Sequence, residues 1–293
     1  MLVATIVFAL IPVLGVGQYW LFLVFLIFVY LAMVNMWNLL AGYSGLVSLG
    51  QPAFIGLAGY TTGALAAIGL SPYIGVLAGG GVGAAFALIV SIPIFRLKGV
   101  YFAVGTLIMV SAVQLWFNQW APHGIAIKAA SEISTTELYY SGLVIGIASI
   151  VILRLILRSK FGLGLMAIRD NEITASTSGV NVFRLKLYSF VISAFFTGIA
   201  GGVFYLYNVY VDPIGGFSIS WTILILTSCI IGGIGTINGP ILGVIVTVIL
   251  QQYLARYVGI ELLILGAIIV VTMLVAPRGI LGKLQRNPLT GAN

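Results

Sequence analysis

The chain has 293 residues, 61% of them hydrophobic and only 6% charged, with a mean hydropathy of +1.20. Soluble domains carry about a quarter charged residues, so this composition excludes a soluble enzyme or binding module and indicates an integral membrane protein. The formal net charge of +7 does not point to nucleic acid, because the basic residues collect in loops between apolar runs.

Apolar stretches of roughly 17 to 25 residues suit helices crossing a hydrocarbon layer about 30 Å thick, and the alternating pattern of an outer-membrane barrel is absent. The chain therefore reads as an all-α polytopic membrane protein, one membrane-spanning domain over residues 1–293. About ten transmembrane helices are expected, near 2–15, 18–41, 53–70, 72–95, 99–119, 139–157, 187–208, 217–235, 239–257 and 261–277. The first opens at Met1 without a basic n-region or a small-residue cleavage site, so it reads as a span and not as a removable signal peptide.

The second span runs into NLLAGYSGLVSLGQPAFIGLAGY at 38–60. Here Gly42, Gly45, Gly50 and Pro52 accompany Asn38, Ser44, Ser48 and Gln51, which packing alone explains poorly. Proline removes a backbone donor and glycine permits turns, so the helix is expected to break near 42–52 and restart at about residue 53. In the fourth span, Gly75, Gly79 and Gly83 repeat at four-residue spacing, as do Ala194, Gly198 and Gly202 in the seventh. Such ridges let backbones approach closely where lipid offers no hydrophobic contrast. His123, in the loop after the fifth span, reads as a surface residue.

Residues 158–186, RSKFGLGLMAIRDNEITASTSGVNVFRLK, form the most informative polar stretch. Leu165, Ile168, Glu172 and Ala175 share a helical face by spacing, Arg169 and Glu172 form an expected i,i+3 pair beside Asp170, and Gly179 suits a helix stop. Arg154 and Arg158 are placed to snorkel to membrane lipid. Farther on, Cys229 reads as a small buried side chain, and IIGGIGTINGPILG at 230–243 supplies a second interruption, with Gly235, Asn238 and Pro240. Paired Gly/Pro interruptions in the two halves are the sequence mark of a transport pathway, the alternative being tight hairpins at the membrane surface.

A cytoplasmic N-terminus gathers Arg96, Lys98, Arg154, Arg158, Lys160, Arg169, Arg184, Lys186, Arg278, Lys283 and Arg286 on one side, leaving Lys128 and Arg256 opposite. This is the positive-inside pattern, with both termini cytoplasmic. Trp20, Trp116, Trp120 and Trp221 then fall near the outer boundary, although Trp37 does not. No lysine is followed by Ser or Thr as a Walker A loop demands, and neither a metal-ligand cluster nor a Gly-x-Ser-x-Gly elbow is present. Every Asp and Glu lies in a loop or at a span edge, which argues against an ion-coupled carboxylate carrier.

Three segments carry a resemblance: NLLAGYSGLVSLGQPAFIGLAGYTTGAL at 38–65, GLGLMAIRDNEITASTSGVNVFRLKLYSFVISAFFTGIAGG at 162–202 and GGIGTINGPILG at 232–243. With RLKGVYFAVGTL at 96–107 and APRGILG at 276–282, they resemble the permease subunits of branched-chain amino-acid ABC importers. The resemblance implies a bacterial cytoplasmic-membrane permease that binds no cofactor itself. It implies as partners a second related permease, two cytoplasmic ATPases that use the ATP, and a periplasmic substrate-binding protein. Asn38, Gly42, Gly45, Ser48, Gly50, Gln51, Gly235 and Asn238 are then expected along the substrate pathway, and Arg169, Asp170, Glu172, Ala175 and Gly179 in an ATPase-coupling loop at 158–186. Gln51 stands where the family often has histidine. Branched-chain amino acids are the expected cargo, with urea, short amides or other amino acids as alternatives within the fold, and a self-sufficient secondary transporter or channel as the rival outside it.

Overall fold

The computed structural model describes residues 7–12, 15–254 and 261–275. In chain order the helices are α1 (Gln18–Asn38), α2 (Gln51–Ala67), α3 (Pro72–Ile94), α4 (Val100–Trp120), α5 (Thr135–Arg158), α6 (Lys160–Asp170), α7 (Glu172–Thr177), α8 (Val182–Asn208), α9 (Pro213–Gly216), α10 (Ile219–Gly232), α11 (Gly239–Leu254) and α12 (Glu261–Val275). Two short strands, β1 (Ile125–Ala126) and β2 (Tyr210–Val211), pair antiparallel with Ile125 opposite Val211.

Among the described residues six helical stretches are long and apolar enough to cross a membrane: Gln18–Tyr43, Pro72–Ile94, Val100–Trp120, Thr135–Arg158, Val182–Asn208 and Pro213–Gly232. The all-α polytopic character holds, but the count of about ten is not confirmed. Helices α2, α11 and α12 have 17, 16 and 15 residues, and the first predicted span, 2–15, lies largely outside the described residues. Arg256, Arg278, Lys283, Arg286 and the segment 276–282 also lie outside them.

Helix α1 is apolar all round and is the central post, with Val29, Met33, Val34 and Asn35 fully buried. The small-residue ridges are where backbones touch. A Cβ added to Gly79 would lie 2.9 Å from the Cα of Ala58 in α2, and one added to Gly198 would lie 3.1 Å from the Cα of Gly80. Close approach of α2, α3 and α8 is thus written in glycine.

The two ends of the bundle differ. Lys98 lines a cavity with Asn171 and Glu172, Arg154 reaches Asn238, and Arg169 reaches Gly42, so the loops rich in Lys and Arg share one basic end. The far end is capped by 121–134 and 209–218, where Tyr210 donates to the His123 carbonyl at 2.6 Å and Asp212 caps α9. His123 is exposed there, as its sequence suggested. Trp20, Trp116 and Trp120 are exposed, whereas Trp221 is buried and donates to the Gly215 carbonyl at 3.0 Å. Trp37, the tryptophan that fits no belt, is a core residue whose indole N–H donates to the Ser48 carbonyl at 2.7 Å.

Candidate functional site

The first interruption begins where α1 widens into a π-turn, Leu39–Tyr43, and loses helical form before α2 starts at Gln51. The break falls close to where Gly42, Gly45 and Pro52 placed it, and the restart is two residues earlier than expected. Gly45 takes φ +72°, a conformation that costs glycine nothing. The Trp37–Ser48 bond shows that the chain doubles back, bringing residue 48 alongside the last turn of α1. Surrounding helices satisfy the freed backbone: the Leu49 N–H donates to Thr106 Oγ1 at 2.9 Å, and its carbonyl accepts from Thr222 Oγ1 at 3.2 Å. Irregular backbone inside a membrane bundle requires such partners.

The second interruption lies between α10 and α11. Gly233 and Gly235 take φ +111° and +76°, and Thr236 Oγ1 bridges the turn, donating to the Gly233 carbonyl and accepting from the Gly239 N–H.

Asn38 joins the two breaks. Its Nδ2 donates to the Thr236 carbonyl at 2.8 Å and its Oδ1 accepts from the Gly235 N–H at 2.8 Å, with the buried Cys229 sulfur 3.6 Å from the same oxygen. Beside it, a Cβ on Gly42 would lie 2.6 Å from the Gly235 nitrogen. The paired interruptions are therefore one clamp, a contact that their sequence spacing does not reveal.

The basic-end loop sits on this clamp. It folds as two short helices, and Asn171 ends α6 and caps α7 by accepting from the Ile173 and Thr174 N–H groups at 3.0 Å. That break corrects the expected Arg169–Glu172 pair, because the two residues no longer occupy one helix. Arg169 instead pairs with Asp170 at 2.9 Å, and Glu172 pairs with Lys186 at 2.7 Å. Leu165, Ile168 and Ala175 are buried, but the break puts Ala175 on α7 and not on one face with Leu165 and Ile168, and Glu172 is half exposed. Gly179 does end α7: its φ is +84°, and the Val180 and Gly179 N–H groups return to the Ala175 and Ser176 carbonyls. Arg169 also donates Nη1 to the Gly42 carbonyl at 3.0 Å, while a Cβ on Gly45 would lie 3.4 Å from the Arg169 Cα.

The other predicted residues divide by exposure. Ser48 is fully buried and its Oγ accepts from the Gly50 N–H at 3.1 Å, steadying the start of α2. Gln51 is buried against α8, its Nε2 reaching Ser193 Oγ at 3.4 Å while Ser193 donates to the Met36 carbonyl. Gln51 Oε1 and Thr197 Oγ1 are buried without a hydrogen-bond partner among the described residues. Gly45 and Asn238 are exposed, and Asn238 Oδ1 accepts from Arg154 at 3.4 Å. Sequence reading did not single out Thr106, Ser193, Thr197 or Thr222. Their signal is an isolated hydroxyl inside an otherwise apolar span.

The family described as "Branched-chain amino acid transport system / permease component" matches residues 19–276. The chain belongs to that family. It is 26% identical over 279 residues to the high-affinity branched-chain amino acid transport system permease protein LivM of Salmonella typhimurium, covering 83% of this chain and 65% of the relative. The LivM protein of Escherichia coli K12 matches to the same extent. A probable branched-chain amino acid transport permease protein LivH of Methanocaldococcus jannaschii is 32% identical over 162 residues, covering 51% of this chain and 50% of that one. The chain thus spans 65% of the length of its LivM relatives. No solved structure matches it. Permease-family character follows from this membership, and the apolar helices fit a membrane-spanning fold.

Proposed function

We propose that this permease is the translocation subunit of an ATP-driven importer of branched-chain amino acids in a bacterial cytoplasmic membrane, with its basic end facing the cytoplasm. It works beside a second, related permease, receives cargo from a periplasmic binding protein, and draws energy from two cytoplasmic ATPases without binding ATP or another cofactor itself. The observation that carries this reading is the bond from Arg169 to the Gly42 carbonyl. A helix pair on the basic end, outside the spans, grips the point where both interrupted segments meet, so a push on α6 and α7 arrives at the clamp without passing through lipid. Moving the clamp re-aims 42–51 and 233–238 together, as alternating access requires. The absence of Asp, Glu, Lys and Arg from the span interiors in the sequence suits a net-neutral cargo.

The test is uptake of radiolabelled leucine by vesicles holding the whole assembly, with and without ATP inside, and by vesicles holding this chain alone under imposed proton and sodium gradients. Uptake only by the assembly and only with ATP supports the proposal. Uptake by the lone chain along an ion gradient overturns it, and stronger competition by urea or short amides than by isoleucine or valine moves the cargo elsewhere within the same fold.

A further inference from the structure

A groove of about 370 Å³ opens on the flank of the bundle between α1, α5 and α11. Its walls are Ile27 and Leu31 of α1, Ile147 and Ile150 of α5, and Ile245 of α11, and among the described residues its one charged lining residue is Arg154 at the basic end. From Val24 to Leu31 it runs about 10 Å along α1. Phe8 and Phe28, with ring centroids 5.3 Å apart, also line it. On the same helices, Val151 and Leu155 of α5 and Leu242 and Val246 of α11 are exposed apolar side chains.

We propose that this groove is a binding site for one anionic phospholipid, an acyl tail lying on the isoleucines and the headgroup phosphate on Arg154. The shape and the charge give the same answer. An apolar trough takes an acyl tail at no desolvation cost, and a guanidinium at its basic end supplies a positive charge for an anionic headgroup. Arg158, one turn farther along α5 and exposed, stands on the same face to take a second phosphate oxygen. Free inorganic phosphate would leave the apolar wall unused. The site also bears on transport, because Arg154 holds Asn238 of the second interruption. A phosphate on Arg154 fixes the guanidinium from the lipid side and steadies the clamp that Asn38 closes.

The test uses the full chain in phosphatidylcholine nanodiscs doped with phosphatidylglycerol carrying a photoactivatable diazirine on one tail, with the labelled peptides mapped by mass spectrometry. Labelling is expected at the groove faces of α1, α5 and α11 ahead of other exposed apolar sites such as Ile89 and Ile108. Arg154→Gln should lower labelling by phosphatidylglycerol about fivefold, the worth of one cation beside an anionic lipid, and leave labelling by diazirine phosphatidylcholine unchanged. Ile150→Trp should block both lipids, and if that variant does not fold, the wild-type map and Arg154→Gln still decide. Even labelling over the whole flank, or no loss with Arg154→Gln, overturns the proposal. So does full competition by inorganic phosphate at matched ionic strength, which marks a free-anion site. Groove peptides that stay unlabelled in the assembled transporter also overturn it, since a protein element then fills the groove.

Discussion

Arg169 and Gly42 lie 127 positions apart and are joined by one hydrogen bond of 3.0 Å, from the guanidinium Nη1 to the backbone carbonyl. The acceptor belongs to the π-turn where α1 unwinds, so its helical partner is already compromised. The donor belongs to a side chain whose other nitrogens are held by Asp170. One arginine thus ties the basic-end helices to the clamp, and this geometry separates roles that looked alike in the sequence.

On the proposed function, Arg169→Ala should uncouple uptake from ATP hydrolysis. A hydrogen bond to a charged donor contributes about 1.5–3 kcal/mol, so a link that transmits motion through it should lose roughly tenfold or more in leucine taken up per ATP hydrolysed. ATPase activity itself should persist. Arg169→Lys should behave like the alanine variant, because an ammonium cannot span both Asp170 Oδ1 and the Gly42 carbonyl with a planar fork. Coupled uptake in both variants would remove Arg169 from the mechanism.

Asn38→Ala should cost stability as well as transport. It leaves the part-buried Gly235 N–H and Thr236 carbonyl without their partner, at up to about 1–3 kcal/mol each. Asn38→Asp keeps the acceptor for Gly235 but loses the donor to Thr236, so it should fall between wild type and alanine in a thermal unfolding series in detergent. Equal melting of all three would mean that the clamp does not hold the two interruptions together.

How much of this was legible in the sequence depends on whether the signal was local. Gly42, Gly45 and Pro52 foretold the break, because each acts on its own backbone, and Gly179 foretold the end of α7 for the same reason. The glycine ridges foretold close helices. What the sequence withheld were partners: that Asn38 reaches across 198 positions to Thr236, that Ser193 meets Gln51, and that Trp37 serves the Ser48 carbonyl. The expected Arg169–Glu172 pair fails because Asn171 does not continue the helix. Its side chain competes for the backbone and starts a new helix instead, as short amide residues do at helix N-termini.

Glu172 and Ile173 stand next to each other in α7, and their alanine variants should diverge. The Glu172–Lys186 bridge lies at the protein surface with Glu172 about half exposed, so Glu172→Ala should alter stability by under about 1 kcal/mol. Ile173 is 78% exposed, an apolar side chain presented on the helix proposed to meet an ATPase. Ile173→Ala should leave melting unchanged and weaken co-purification of the ATPase subunits. Retention of the ATPases by Ile173→Ala and their loss with Glu172→Ala would reverse this division.

Two glycines of α3 give a matched test of the packing. A Cβ on Gly79 would meet the Cα, carbonyl oxygen and Cβ of Ala58 at 2.9 to 3.0 Å, and backbone cannot step aside as a flexible side chain can. Gly79→Ala should therefore push α3 away from α2 and destabilise the bundle by about 1–3 kcal/mol, the usual cost of overpacking. Gly81, two residues on, has nothing within 4 Å of an added Cβ. There alanine meets no neighbour and gains helix propensity of up to about 1 kcal/mol, so Gly81→Ala should be neutral or stabilising in the same unfolding assay. The opposite ranking would show that α2 and α3 are not held backbone to backbone, and with that the short α2 would lose the wall against which it restarts after the break.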